Sequence, residues 1–538
     1  MKLFTLLSLF GACLVLLGCQ GEAVGPTSTV AATDVPATAA LSSTETATTA
    51  AMPEPSASAT PSPTKTPAPA DTISTEASQD TTAARIARIS EFIAAQTDAG
   101  LRGAILVALD GTIVVATGLG EADDRAGLAN DADTVFDIGS ITKQFTAAAI
   151  LKLEMAGLLS TEDTLGDFFP DAPADKAGIT LHQLLTHSAG LPEALGDDYA
   201  PILRAEYIDL ALNTPLEHAP GEAYLYSNVG YSLLAAIIEL VSGQSYEAYL
   251  HEALFLPAGM LHTGYLLPDW SNSVIATGYR DGQPVGKPNQ LPWTEDGPYW
   301  HLRGNGGILS TANDMYRWHL ALQGDTVLSA AAREKLLTPY VPEDEAGSSY
   351  YAYGWVIIQT TRGTTLITHN GGNSIFYADY WDYPEEQIFI FIATNGLTRP
   401  QRNWASELAQ IIHEPDYVPA PPILAVETEA AELPATPAGQ LVAEFLAAIN
   451  SDDVALRTAF IENTYASELM GFADLDGHLA IMSDLQELLR SATLNSVGVA
   501  GDTLILTYVD SSGLPYLEMS LTITPSDPPM LADISIEG

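Results

Sequence analysis

The run Ile388-Phe389-Ile390-Phe391-Ile392-Ala393 constrains the fold most tightly. It is nearly continuous, apolar, rich in β-branched and aromatic residues, and too short for an ordinary helix. Such a run is expected as a central strand covered on both faces. Other strand patterns span Gly103 to Leu109, Thr112 to Thr117, Tyr353 to Thr360, Thr364 to Thr368 and Tyr377 to Trp381. The first two are joined at Asp110-Gly111, a strong two-residue hairpin signal. Ile86, Ile89, Phe92 and Ile93 mark an amphipathic helix before the strands, and Trp404, Leu408, Ile411 and Ile412 mark one after them. The middle of the chain reads as helix and loop. Terminal helices around an antiparallel sheet, with a helical insertion between its strands, argue an α+β architecture.

Ser140-Ile141-Thr142-Lys143 opens a long apolar helix pattern, which carries Ala147, Ala148, Ile150, Leu151, Leu153 and Leu158 and ends around Gly157. Positions i and i+3 share a helix face, so the Lys143 amine can reach the Ser140 hydroxyl. A neutral amine there can take the hydroxyl proton and make a nucleophile. Ser62-Pro63-Thr64-Lys65 repeats the spacing inside a Pro/Thr/Ser run that cannot hold a helix. Tyr226-Ser227-Asn228 precedes a buried helix over Leu233 to Val241, and His369-Asn370-Gly371-Gly372 falls between two strand patterns. His262-Thr263-Gly264 is a rival to the last motif but lacks a flanking strand pair. Ile179 to Leu191 reads as a helix breaking at Gly190, where His187 is expected to cap and pack the turn. Gly304, Gly306 and Gly307 lack the following lysine and the strand–loop–helix context of a phosphate loop, so they read as backbone packing.

In that order and at those intervals, Ser140-x-x-Lys143, Tyr226-x-Asn228 and His369-x-Gly371 resemble the serine β-lactamase-like hydrolases: class C β-lactamases, D-alanyl-D-alanine carboxypeptidases, D-aminopeptidases and related esterases. HQLLTHSAGLP from His182, PGEAYLYSN from Pro220, LPAGM from Leu256 and GNGGILSTANDM from Gly304 carry the resemblance further, over roughly Ala84 to His413. The resemblance implies a β-lactamase/transpeptidase-like fold and an acyl-enzyme on Ser140. It implies catalytic roles for Lys143 and Tyr226, substrate binding by Asn228, His369 and Gly371, and an oxyanion hole from the backbone N–H groups of Ser140 and Gly372. For Lys143 to be neutral, desolvation and a neighbouring positive charge are expected to lower its pKa. Tyr226 is expected to have a depressed pKa supplied by Lys143. The third motif commonly carries a lysine where this chain has His369, which weakens the case for β-lactams and leaves esters and D-peptides open.

The chain has 538 residues, with 67 Asp+Glu against 21 Lys+Arg and a net charge of −46. That field repels nucleic acid. Lys2 and the apolar run Leu3 to Leu17 read as a signal peptide over 1–18. Its end, Leu16-Leu17-Gly18-Cys19, resembles a bacterial lipobox, implying lipidation of Cys19 and a membrane-anchored protein of the cell envelope. The only other cysteine is Cys13, so the mature chain is expected to hold no disulfide and no cysteine metal site. No H-E-x-x-H is present, and neither metal nor cofactor is expected. Residues 19–81 are Thr/Ala/Ser/Pro-rich and read as a disordered tether. The hydrolase domain is expected over 82–414, a Pro/Glu-rich linker over 415–437, and a small α+β module over 438–538, loosely similar to nuclear transport factor 2-like domains. The expected activity is an envelope-tethered serine hydrolase acting on an ester, a D-amino peptide or a β-lactam, with a small-molecule or peptidoglycan-derived substrate. The competing readings are a penicillin-recognising sensor without turnover and a cell-envelope binding protein. A G-x-S-x-G elbow is missing, which disfavours an α/β-hydrolase.

Overall fold

Two strands with every residue buried run side by side through the main sheet: β1 (Gly103–Leu109) and, last in the sheet's chain order, Ile388–Thr394. They come from a computed structural model that describes residues 73–537 apart from 281, 292, 345–346, 374, 397–403, 420–432, 452, 471–474, 491, 501–502, 510–514 and 527. The signal peptide, Cys19, the Ser62/Lys65 pair, residues 19–72 of the tether and residues 420–432 of the linker lie outside the described residues.

The sheet continues through β2 (Thr112–Leu119), β3 (Val341–Pro342), β4 (Ser349–Tyr351), β5 (Val356–Gln359), β6 (Thr365–Gly372), β7 (Tyr377–Tyr383) and β8 (Ile388–Thr394). Its order is β2-β1-β8-β7-β6-β5-β4-β3, antiparallel throughout. The period of two sorts β8 between two cores. Phe389, Phe391 and Ala393 face one, while Ile388, Ile390 and Ile392 face the other. Strand β1 divides in the same way, Ala104, Leu106 and Ala108 against Ile105, Val107 and Leu109. Each fully buried Ile or Phe contributes about 1.5–3 kcal/mol of transfer free energy, so this strand pair anchors both layers. Asp110 and Gly111 have φ of 52° and 71°. Two positive values suit the two-residue turn whose twist matches paired strands.

Helices α1 (Ile73–Asp98) and, closing the domain, Trp404–His413 cover one face through Ile89, Phe92, Trp404, Leu408 and Ile411. Arg88 donates to the Ile411 carbonyl at 2.9 Å and Trp404 Nε1 to Gln96 Oε1 at 3.1 Å. The inserted helices cover the other face. Among them are α2 (Thr142–Met155), α3 (Leu181–Leu185) and α4 (Asn228–Ser242).

Several boundaries differ from the sequence expectation. Gly354, at φ 77°, turns the chain at the start of the expected Tyr353–Thr360 strand and delays it, leaving Val356–Gln359. An added Cβ at Gly354 would lie 2.7 Å from the Lys143 carbonyl oxygen, so only glycine lets this turn approach α2. The helix expected over Ile179–Gly190 stops at Leu185, because His187 turns left-handed at φ 56° before Gly190 does at 75°. The third motif lies within β6, not between strands, with Gly372 paired to Tyr377.

The C-terminal part has its own core. Helices α5 (Trp404–His413) and α6 (Pro437–Ile449) flank the linker, followed by α7 (Val454–Thr464), α8 (Ser467–Met470) and α9 (Leu475–Leu489). A four-stranded antiparallel sheet then runs in order through β9 (Thr493–Ala500), β10 (Thr503–Val509), β11 (Pro515–Ile523) and β12 (Leu531–Glu537). Leu441, Phe445, Met482, Leu506, Met519 and Leu521 are among the residues buried between them. Strand β9 was not expected from the sequence; Asn495, Ser496 and Gly498 dilute its apolar signal.

Candidate active site

Ser140 stands in a single 3-10 turn, Gly139–Ile141, immediately before α2. It is not the first residue of the α-helix, as the sequence suggested. Asp137 fixes the turn by accepting from the Gly139 N–H at 2.8 Å. Ser140 keeps some surface, as a nucleophile must, whereas Lys143 one turn on is fully buried. Lys143 Nζ lies 3.0 Å from Ser140 Oγ, 2.8 Å from Asn228 Oδ1 and 2.8 Å from the Asn305 carbonyl oxygen. The two carbonyls can only accept. A neutral amine has two hydrogens and one lone pair, so both hydrogens are taken and the lone pair is left for the Ser140 hydroxyl.

Asn228 is the first residue of α4, and Ser227 caps that helix by accepting from the Gly230 N–H at 3.2 Å. The Ser227 hydroxyl donates to the Pro192 carbonyl at 2.7 Å, and the Asn228 N–H to the Glu193 carbonyl at 2.8 Å. This cap directs Asn228 at Lys143 and leaves Tyr226 in the extended stretch before it. The Tyr226 ring centroid is 4.7 Å from Lys143 Nζ, and Ser140 is near enough to the phenol to act on its pKa. The hydroxyl and amine of one turn and a phenol from far along the chain meet here.

The strand carrying the third motif closes against the Ser140 turn without a gap. A Cβ on Gly371 would lie 2.2 Å from the Ile138 oxygen and 2.4 Å from the Ser140 nitrogen; one on Gly139 would lie 2.2 Å from the Gly372 nitrogen. Backbone meets backbone only because both positions are glycine. Hydrogen bonds alternate along an antiparallel strand. The Asn373 N–H goes to the Phe376 carbonyl at 3.0 Å, so the Gly372 N–H leaves the strand on the opposite edge, the side on which the Ser140 turn packs.

A family model described as Beta-lactamase matches residues 88–411. The chain belongs to the beta-lactamase family. A penicillin-binding protein of Bacillus subtilis (strain 168) is 31% identical over 306 residues, covering 54% of this chain and 67% of that protein. The crystal structure of a penicillin binding protein from Bacillus halodurans shares 29% identity with a TM-score of 0.51, covering 59% of this chain and 98% of its own. The octameric penicillin-binding protein homologue from Pyrococcus abyssi shares the fold at 24% identity and a TM-score of 0.53, over 82% of this chain and 92% of its own. The fold is thus that of the serine β-lactamases and transpeptidases, in a family of serine hydrolases.

The protonation states depart from expectation for this beta-lactamase-family cleft. Burial lowers the Lys143 pKa to about 7, but no cation helps: the charges acting on it are the carboxylates of Asp198 and Glu193, which raise it. Burial in turn lifts Asp198 to about 6 and raises Glu193. The Tyr226 phenol is pushed up by burial, against a lowering influence from nearby Ser140, and is not depressed by Lys143. A lysine that is itself close to neutral offers a phenolate little. Tyr226 therefore starts protonated, as a donor.

His369 differs as well. It is buried, and burial first, then Lys143, lowers its pKa to about 3. Its Nδ1 lies 2.5 Å from the Asn370 carbonyl and its Nε2 3.0 Å from the Tyr351 hydroxyl. The carbonyl requires the proton on Nδ1, so Nε2 accepts from Tyr351. Both nitrogens are engaged within the protein, and the expected substrate contact from the ring is not offered by this geometry. The rival His262-Thr263-Gly264 is tied down elsewhere. The His262 N–H and the Thr263 hydroxyl donate to Asp314 at 2.7 and 2.9 Å, and the Gly264 N–H to the Leu309 carbonyl at 3.0 Å.

Sequence reasoning missed Asn305. It acts through a backbone carbonyl, to which any residue type could contribute. The flanking Gly304 was the available signal: at φ 84° it packs so close to α4 that a Cβ would lie 2.5 Å from that of Ala235. The Asn305 side chain holds the loop by donating to Ser232 Oγ and to the His301 carbonyl, each at 2.8 Å. Among the described residues no group of His, Cys, Asp and Glu is placed to hold a metal.

Proposed function

We propose that this chain hydrolyses an ester or amide through an acyl-enzyme on Ser140, with Lys143 as the base. The single observation behind this reading is that Lys143 Nζ has two acceptor-only carbonyls and one hydroxyl around it. Its lone pair then takes the Ser140 proton as Oγ bonds to the substrate carbonyl carbon. The oxyanion that forms lies beside the N–H groups of Ser140 and Gly372, where preorganised donors stabilise it. Tyr226 gives its proton to the leaving group as that bond breaks and regains one from the Lys143 ammonium. Water then attacks the acyl carbonyl, its proton following the reverse route, and Ser140 is released. Asn228 orients the amine and meets the substrate, and the Gly371-Gly372 edge of β6 lies alongside it.

The substrate reading follows from charge. A neutral His369 gives a carboxylate no fixed partner, and the carboxylates of Asp198 and Glu193 act on Lys143. Neutral esters, or acyl donors bearing an ammonium group, suit this field better than the carboxylate of a β-lactam or of a peptide ending in D-alanine. Turnover of a p-nitrophenyl ester is the test, with a cephalosporin beside it. Ester hydrolysis lowered at least about 1,000-fold by Ser140→Ala, and a lower kcat/KM for the cephalosporin, are expected. Stable labelling by penicillin without turnover would favour the sensor reading, and absence of any Ser140-dependent reaction would sink the hydrolase.

For location, we propose that lipidated Cys19 anchors the enzyme in the cell envelope, on the strength of the lipobox-like Leu16-Leu17-Gly18-Cys19 alone. Cys19→Ala should move the protein from the membrane pellet to the soluble fraction. An unchanged distribution would argue against the anchor.

A further inference from the structure

His187 holds a backbone conformation that few side chains adopt. Its φ of 56° lies in the left-handed region, where Cβ crowds the following carbonyl. It is 1% exposed and reaches Tyr226 from three directions. Its carbonyl oxygen accepts from the Leu225 N–H at 2.8 Å, and its Nδ1 accepts from the Ser227 N–H at 3.0 Å. Those two amides belong to the immediate neighbours of Tyr226. The ring also lies against the Tyr226 ring, with centroids 4.4 Å apart, and is braced on its other sides by Tyr351 at 4.5 Å and Tyr231 at 5.1 Å. Since Nδ1 accepts, the ring proton must sit on Nε2. That Nε2 has no hydrogen-bond partner among the described residues, so the Ser227 amide is the ring's one polar anchor there. Burial holds the imidazole well below its usual pKa, which keeps Nδ1 free to accept.

We propose that His187 is a positioning residue for Tyr226: it clamps the chain on both sides of the tyrosine and its ring from the flank, so that the phenol is held at Ser140 to protonate the leaving group. The inference rests on the proposed role of Tyr226 and deepens it.

The test compares two esters of one acid. A p-nitrophenolate departs without a proton, while an ethoxide needs one, so only the ethyl ester depends on a well-placed phenol. His187→Gly relaxes the backbone and deletes the acceptor. It should lower kcat/KM for the ethyl ester by about tenfold more than for the p-nitrophenyl ester. His187→Asn tolerates the left-handed conformation and returns an oxygen near the place of Nδ1. It should bring the ratio of the two esters back to within about threefold of wild type. Equal losses on both esters, or an asparagine variant no better than glycine, would overturn the proposal. If the glycine variant does not fold, asparagine decides alone: an ester ratio near wild type supports the clamp, and one displaced tenfold or more removes it. Tyr226→Phe separates the two levels. If it leaves the ratio unchanged, the role given to Tyr226 falls and the clamp with it. If it shifts the ratio and His187→Gly does not, the clamp alone falls.

Discussion

A buried lysine amine can serve as a base only while it is neutral, and here burial sets that condition. With Lys143 near 7, lowering the pH protonates the lone pair and stops the reaction. For a p-nitrophenyl ester, kcat/KM should therefore rise through an inflection near 7 and fall about tenfold per unit well below it. Asp198 opposes burial by raising Lys143, so Asp198→Asn should move the inflection to lower pH. A shift to higher pH would mean that the carboxylate is not acting on the amine. The Ser140/Lys143 pair was legible from a spacing of three. The direction of the Tyr226 shift was not, because a sequence shows which groups are ionisable and not how much water each one loses.

At the scale of elements, the site is a seam between the Ser140 turn and the end of β6. Gly371 and Gly139 let two backbones touch, and a single methyl tests the seam. Gly371→Ala would place carbon 2.2 Å from the Ile138 oxygen and 2.4 Å from the Ser140 nitrogen. Since something must shift, ester kcat/KM should drop about 100-fold, as misplacement of about 1 Å does. Overpacking of about 1–3 kcal/mol should also lower the melting temperature by several degrees while leaving the far-ultraviolet dichroism unchanged. Wild-type activity in that variant would show that the contact is dispensable. The hairpin at Asp110-Gly111 and the buried strand β8 were readable because each is specified by a few adjacent residues. The boundaries at Gly354 and His187 were not, because each is decided by a neighbour distant in sequence: α2 for one, the stretch before α4 for the other.

At the scale of the whole molecule, the cores of the main sheet and of the C-terminal part have no residue in common. Each buries its own apolar faces, which is what lets a domain fold alone. A chain ending after Tyr417 should therefore keep p-nitrophenyl ester turnover within about a factor of three of the full chain. It should also unfold in one cooperative transition when followed by urea denaturation. Loss of folding or activity would mean that the last residues complete the hydrolase.

Order along the chain was enough to determine the hairpin, the strand buried on both faces, the terminal helices, and the succession of a serine–lysine pair, a tyrosine–asparagine pair and a histidine–glycine pair. These are local patterns of apolar period and spacing, written in side-chain types. Tertiary structure alone decided that the Asn305 carbonyl takes a hydrogen of Lys143, that His369 turns both nitrogens inward, and that His187 grips the chain on either side of Tyr226. Backbone carbonyls look alike in any sequence, and desolvation exists only once distant segments have packed together and expelled water.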